Sequence, residues 1–362
     1  MNFSISSFVD PAHENVNVRE RVDLSDFVNL SNNEMVHTHL KSLLLKFGKE
    51  YNWSRASHYP LCINLRKKIA KMYLLDHNQV ILSAGTDHAI SQILAFFSLK
   101  NKSMIMQSPN YFNYERYANV NNIKIIPVPF YMLGDHEIVA AFKNKLEACS
   151  NAIVVVTSPH VYSASCLSNE VIKQIADLSL KHNHLLIIDE AYSAFSESDN
   201  FFLLRENYPN LIILRSFSKA FGVAGMRIGG VFADHNIITF LKKIGILGCI
   251  NDAAISLLSF LIDHYDKVLA IRKNLNDIRD QAIMRIKLLN PQWTVLPSST
   301  NFITFFVDNV EVADSITHFM KLHNILVKPL KGIPPFDNAI RITISDESIM
   351  NNAIDTLAMW KP

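Results

Sequence analysis

The residues with the most chemistry in them stand in one segment, Ser216-Phe217-Ser218-Lys219-Ala220-Phe221-Gly222-Val223-Ala224-Gly225-Met226-Arg227. Two hydroxyls, an amine and a guanidinium follow directly on the apolar run Leu211–Leu214. That places them at the carboxyl end of a strand, where open α/β sheets bind ligands. Ser216, Ser218 and Arg227 suit a phosphate, and Lys219 beside it suits a Schiff base with a carbonyl group. Glycine marks the same place. The chain has ten glycines in 362 residues, and four of them lie between Gly222 and Gly230. The usual share is roughly 7%, so glycine is concentrated where backbone must turn or approach a ligand closely.

Thirty residues before Lys219, Asp189-Glu190-Ala191-Tyr192 follows the run Leu185–Ile188. A carboxylate at a strand end can hold a pyridinium nitrogen protonated, which makes the ring an electron sink. Tyr192 can donate its phenol hydrogen to an oxygen of the same ring. Either residue alone reads equally well as a cap or a rim group. The combination of two such strand ends singles the region out.

These groups need a sheet to hold them. Short apolar runs at Val80–Leu82, Met104–Met106, Ile123–Val128, Ile153–Val156, Leu185–Ile188, Leu211–Leu214 and Ile228–Phe232 read as buried strands. Between them, Leu65, Ile69, Met72 and Tyr73 recur at helical spacing, as do Ile90, Ile93, Leu94 and Phe97, and Val171, Ile172, Ile175 and Ala176. The alternation predicts an α/β fold with a large, mostly parallel sheet flanked by helices. After about residue 250 the pattern changes to a long helical tract from Ala253 to Leu289, strands at Asn301–Val307, Ile325–Val327 and Ala339–Ile344, and a helix near Val312–His323. This predicts a smaller α+β domain, with the Pro-rich stretch Lys331–Phe336 as a surface loop. The expected division is 1–45 as an N-terminal arm and part of the small domain, 46–250 as the large cofactor-binding domain, and 251–362 as the small C-terminal domain.

Composition excludes several classes. Thirty-five Lys+Arg against 33 Asp+Glu give a net charge of +2, which argues against a nucleic-acid binder. Hydrophobic residues at 49% exclude extended disorder. Cys62, Cys149, Cys166 and Cys249 show no C-x-x-C spacing, so no metal is expected and the thiols read as reduced and buried. No apolar stretch approaches the roughly 18–20 residues of a membrane span. Met1–Glu14 lacks the basic-then-apolar pattern of a targeting signal. A cytoplasmic location without membrane association is the expectation.

Taken with Asn32-Asn33-Glu34, His58-Tyr59-Pro60, Ala84-Gly85-Thr86-Asp87, Ser108-Pro109-Asn110-Tyr111, Thr300-Asn301-Phe302 and Arg341-Ile342-Thr343, these motifs resemble the class I/II aminotransferases of fold-type I. Within that family the chain is most similar to histidinol-phosphate aminotransferases, from about Leu30 to Leu357. The resemblance implies pyridoxal 5'-phosphate (PLP) as cofactor, an amino donor and a keto acceptor as substrates, and a homodimer with shared active sites. Lys219 then matches the Schiff-base lysine, Asp189 the partner of the ring nitrogen and Tyr192 the donor to the ring oxygen. Gly85, Thr86 and Asp87 would bring backbone amides to the phosphate at a helix N-terminus, with Ser216, Ser218 and Arg227 completing the cup. Tyr111 matches the aromatic that stacks on the ring, and Tyr59 the tyrosine that reaches the neighbouring subunit's cofactor. Arg341, Asn33 and Lys328 would contact the substrate, Arg341 as a carboxylate clamp.

The chain departs from the family in three places. Ser158-Pro159-His160-Val161-Tyr162-Ser163-Ala164 stands where the family has Asn-Pro-Asn-Asn-Pro-Thr-Gly, so Val161 replaces the asparagine that donates to the ring oxygen. His160 fills that role if the loop shifts by one residue. Lys328 replaces an arginine, and His88 a glutamate. The leading reading is an aminotransferase. The alternative is a PLP-dependent decarboxylase, lyase or oxidase on the same fold. A non-catalytic, ligand-sensing module ranks below both because Lys219 is retained.

Overall fold

A computed structural model describes residues 24–97, 103–196, 207–245 and 250–361. Met1–Glu14 and Cys249 lie outside the described residues.

Successive residues of the predicted strands point to opposite faces, and the core follows that alternation. Val154, Val156, Leu186, Ile188, Leu211 and Ile213 pack into one apolar cluster. Ile153, Val155, Ile187, Ile212 and Leu214 pack into another on the far face. A sheet covered on both sides needs strands without polar alternation, which is what the sequence supplies. Seven strands form this sheet, in the spatial order Val80–Ser83, Gly229–Ala233, Leu211–Ser216, Leu185–Asp189, Ile153–Thr157, Ser103–Ser108 and Lys124–Pro129. Only Gly229–Ala233 runs against the others, antiparallel to both of its neighbours. The remaining pairings are parallel, with Asp189 beside Thr157 on one side and Leu214 on the other. The carboxyl ends of the parallel strands therefore gather on one edge.

A second, antiparallel sheet of four strands runs in the order Lys328–Pro329, Ala339–Thr343, Phe302–Phe306 and Thr294–Val295. Val28–Asn29 pairs in parallel with Ile325–Leu326. The backbone amide of Thr343 donates to Leu30 at 2.8 Å. These bonds lay the arm that carries Asn33 along the smaller sheet.

The expected helical tract is two helices, Asp252–Asp263 and Tyr265–Leu289, broken at His264. The His264 imidazole makes a 2.9 Å bond to the Phe260 carbonyl, and its own carbonyl starts the next helix. No proline or glycine marks the break, so the apolar periodicity runs through it. Cys62, Cys149 and Cys166 are free but only half-buried, which corrects the expectation of buried thiols. No helix among the described residues is long and apolar enough to cross a membrane.

Candidate active site

Asp189 ends its strand inside the protein, with 3% of its surface exposed. Its carboxylate accepts from the Tyr114 hydroxyl at 3.0 Å and from the Ala191 amide at 3.1 Å. Those donors favour the ionised form, but desolvation outweighs them and pushes the carboxyl up to about 6. Burial also pushes the Tyr114 phenol upward, so it remains a neutral donor. Sequence reasoning missed Tyr114. Its only signal is its position one helical turn after Tyr111, indistinguishable from a core aromatic.

On the next strand, Ser216 caps the short helix Phe217–Ala220, its hydroxyl accepting from the Ser218 amide at 3.2 Å. This helix carries Lys219, whose ammonium donates to the Asn32 carbonyl at 2.9 Å. The Tyr192 hydroxyl accepts from the Asn33 side-chain amide at 2.9 Å, leaving its own hydrogen for another acceptor. Asn33 is locked in turn, because its amide donates to Thr343 and its carbonyl accepts from Asn301.

A third strand end supplies an anion cradle. Val80–Ser83 turns at Gly85 into the helix Gly85–Phe97, whose first amides lack helical acceptors. Gly85 has φ of +79°, and a Cβ there would lie 2.6 Å from Arg227 Nη2. A Cβ on Gly229 would lie 2.8 Å from both the Gly85 carbonyl carbon and the Thr86 nitrogen. Two glycines thus let strand, turn and guanidinium close on one another. Arg227 bonds the Ala224 carbonyl at 3.0 Å and the Ser218 hydroxyl at 3.5 Å. Asp87 joins this side as an anchor: its carboxylate accepts from Tyr111 at 2.9 Å and Asn113 at 2.8 Å, and lies 3.4 Å from Arg227.

Arg341 is buried on the smaller sheet and paired with no carboxylate among the described residues. Its Nη1 donates to Val161 O at 3.1 Å and its Nη2 to Ser31 O at 3.2 Å; the guanidinium lies 5.2 Å from the Phe302 ring centroid. Its Nε is buried without a partner, and burial pulls its pKa down. Lys328 sits opposite Arg341 in the strand register. Tyr59 is not brought to the site: it is 98% exposed.

His160 does not take over from the missing asparagine. Its Nδ1 faces the amides of Tyr162 and Ser163 at 3.3 and 3.2 Å, so that nitrogen accepts and Nε2 carries the hydrogen. Nε2 donates to the Pro109 carbonyl at 2.9 Å. Burial pushes the imidazole down to about 3. It is a neutral keystone of its loop, with both nitrogens committed.

The donor set fits PLP. A buried carboxylate without a cation suits a ring nitrogen that carries a proton. A helix N-terminus with Ser218 and Arg227 suits a phosphate, and Lys219 is an amine that follows the strand lying between the Asp189 strand and the cradle strands. The comparisons with known proteins agree. The family model for aminotransferase class I and II matches residues 25–357. Histidinol-phosphate aminotransferase 2 of Legionella pneumophila (strain Lens) is 29% identical over 285 residues, covering 77% of this chain and 75% of its own length. The histidinol-phosphate aminotransferase of Sinorhizobium meliloti, solved with pyridoxal-5'-phosphate, superposes with a TM-score of 0.82 at 19% identity over 97% of both chains. The L-threonine-O-3-phosphate decarboxylase of Porphyromonas gingivalis shares the fold at a TM-score of 0.72 and 20% identity, over 91% of this chain and 98% of that one. The chain belongs to the aminotransferase class I and II family and is a PLP-dependent aminotransferase.

Proposed function

We propose that the enzyme moves the amino group of an amino acid or amino-acid-derived amine to a keto acceptor, with Lys219 as the residue that carries the cofactor. The observation that supports this most directly is the convergence of Lys219, Asp189, Tyr192 and the Gly85–Arg227 cradle from adjacent strand ends. Bound PLP supplies an electron sink for the substrate's α-carbon. Lys219 holds the cofactor and moves the substrate α-proton. Asp189 keeps the ring nitrogen protonated. Tyr192, oriented by Asn33, donates to the ring oxygen. Gly85, Thr86, Ser218 and Arg227 hold the phosphate, with Ser216 fixing the helix that presents Ser218. Asp87 positions Tyr111 and Arg227. Arg341 takes the substrate carboxylate through its planar fork, and Lys328 offers a point charge nearby.

Aromatic rings pack around Tyr111 and Tyr192. Tyr131 stands 4.6 Å from Phe336 and 5.7 Å from Phe306 between centroids, in an apolar cluster that contains Tyr192 and packs Tyr111. They favour an amine with a flat, apolar or heteroaromatic side chain, in keeping with the histidinol-phosphate aminotransferases among the relatives. The exposed Trp53, Tyr59 and Leu61 support a homodimer in which Tyr59 serves the partner's site. The pairing of Val28–Asn29 with Ile325–Leu326 supports the division into 1–45, 46–250 and 251–362, the arm contributing to the small domain. A cytoplasmic location belongs to the same reading.

Borohydride reduction of the PLP-loaded protein followed by peptide mapping tests the lysine: label belongs on Lys219, and label elsewhere overturns the assignment. Supplying an amino donor without a keto acceptor tests the reaction, which should release about one keto product per site. The buried apolar Val161 favours a second reading, a decarboxylase or oxidase on the same site. Release of CO2 or peroxide would select it.

A further inference from the structure

Glu190 and Arg215 point to the face of the sheet opposite Asp189, and there the protein has a partly open pocket of about 340 Å³. Arg272, Tyr265, Ala194 and Ser216 share its wall, whereas Lys219, Asp189, Tyr192, Gly85 and Arg227 do not. Among the described residues its charges do not balance. The Glu190 carboxylate is 2.5 Å from Arg215 Nε, so that arginine has its counter-charge. Arg272 has none: it is 5% exposed and pairs with no carboxylate among the described residues. Its Nη2 donates to the Tyr265 hydroxyl at 2.6 Å, and its guanidinium lies 5.1 Å from the centre of that ring. Its Nε is buried without a partner.

Removing an ion from water costs several kcal/mol unless a partner replaces the lost solvation. Here a buried cation, a donor nitrogen without an acceptor and a partly open pocket adjoin one another. Tyr265 accepts from Arg272, so its own hydrogen remains to be donated, and the hydroxyl of Ser216 is a further donor on the wall. Arg272, Tyr265 and Ser216 all suit an anion, and the one carboxylate on the wall, Glu190, is held by Arg215.

We propose that this cavity is a second anion site, separate from the cofactor cradle, that takes a small oxyanion on Arg272. Phosphate and carboxylate share that chemistry, and inorganic phosphate and succinate are the two probes. Each is titrated into the PLP-loaded protein, whose cradle is already filled, while Tm is followed. A ligand that binds only the folded state raises stability as RT ln(1 + [L]/Kd). Wild type should respond saturably to at least one probe, and Arg272→Met should bind it at least tenfold more weakly. Because Arg272→Met also removes an uncompensated buried charge, it should be no less stable than wild type without anion. Should it fail to fold, Arg272→Lys keeps the charge without the fork and should weaken binding. Arg341→Gln should keep the response, which separates this cavity from the substrate carboxylate site. Crystals soaked in selenate should show an anomalous peak against Arg272. No saturable response, equal responses in wild type and the Arg272 variants, or a response lost in Arg341→Gln would overturn the proposal.

Discussion

Asp189 and Glu190 are consecutive, both carboxylates, and 3% and 2% exposed, yet the two faces of the strand end treat them in opposite ways. The face of Asp189 offers only the neutral donors Tyr114 and Ala191, and desolvation pushes the carboxyl up to about 6. The face of Glu190 supplies Arg215, whose guanidinium is carried above its ordinary value by that carboxylate despite its own burial. Equal burial therefore says nothing about charge state until the partners are named. Among the described residues the front face is short of one cation, which in the proposed function a protonated ring nitrogen would supply. The back face carries one more cation, Arg272, than carboxylates among the described residues. A single strand end thus separates the proposed cofactor site from the proposed anion site.

The largest expected effect lies at the front. In the proposed function Lys219→Ala removes both the covalent attachment and the base, so kcat should fall by about 10⁴-fold or more even at saturating PLP. A variant within about tenfold of wild type would leave the front face without its defining group.

The next effect compares the neighbours directly. The folded-state pKa of Asp189 lies above its ordinary 3.8, so its contribution to the stability of the cofactor-free protein is complete below about pH 4 and is lost as pH rises through about 6. Asp189→Asn should therefore stabilise the cofactor-free protein by about 3 kcal/mol near neutral pH. The gain should shrink towards nothing near pH 4. Glu190→Gln should do the reverse, destabilising by about 3–5 kcal/mol because Arg215 loses its buried carboxylate. Urea denaturation of both variants across pH 4–8 gives the comparison, and shifts of the same sign would erase the distinction between the faces.

Tyr114→Phe sharpens the front-face account with a smaller change. It deletes a hydrogen bond to a buried carboxylate, an effect of about 1.5–3 kcal/mol. It should raise the Asp189 pKa further, because the lost donor favours the ionised form. The gain from Asp189→Asn in the cofactor-free protein should still begin near pH 4, but it should level off at a higher pH and reach a larger value in the Tyr114→Phe background.

How much of this was legible in the sequence depended on whether a residue's role is local. The strand ends were legible because β-branched runs and the groups that follow them sit within a few residues of each other. The glycine cluster pointed to the cradle, although Gly85 comes from a distant strand and reaches Arg227 only through the antiparallel pairing of Val80–Ser83 with Gly229–Ala233. The break at His264 was invisible because it rests on capping bonds rather than on proline or glycine. Arg272 was invisible because a buried arginine on a long helix has the same spacing as a solvated one.

The smallest effect concerns His160, at the edge of the front face. Had the loop shifted by one residue, the imidazole would replace the missing asparagine as a donor to the cofactor. The geometry instead gives Nδ1 two backbone amides and Nε2 the Pro109 carbonyl. An asparagine can reproduce the first half of that arrangement, since its side-chain oxygen readily accepts from amides two and three residues on. It cannot reproduce the reach to Pro109. His160→Asn should therefore cost about 1 kcal/mol, one neutral hydrogen bond. The visible absorption band of the bound cofactor and its pH titration should be unchanged. The wild-type titration should also show no histidine component between pH 5 and 8, because burial holds this imidazole neutral down to about 3. A displaced titration in His160→Asn, with stability intact, would place the ring against the cofactor and move His160 from the frame of the site into its chemistry.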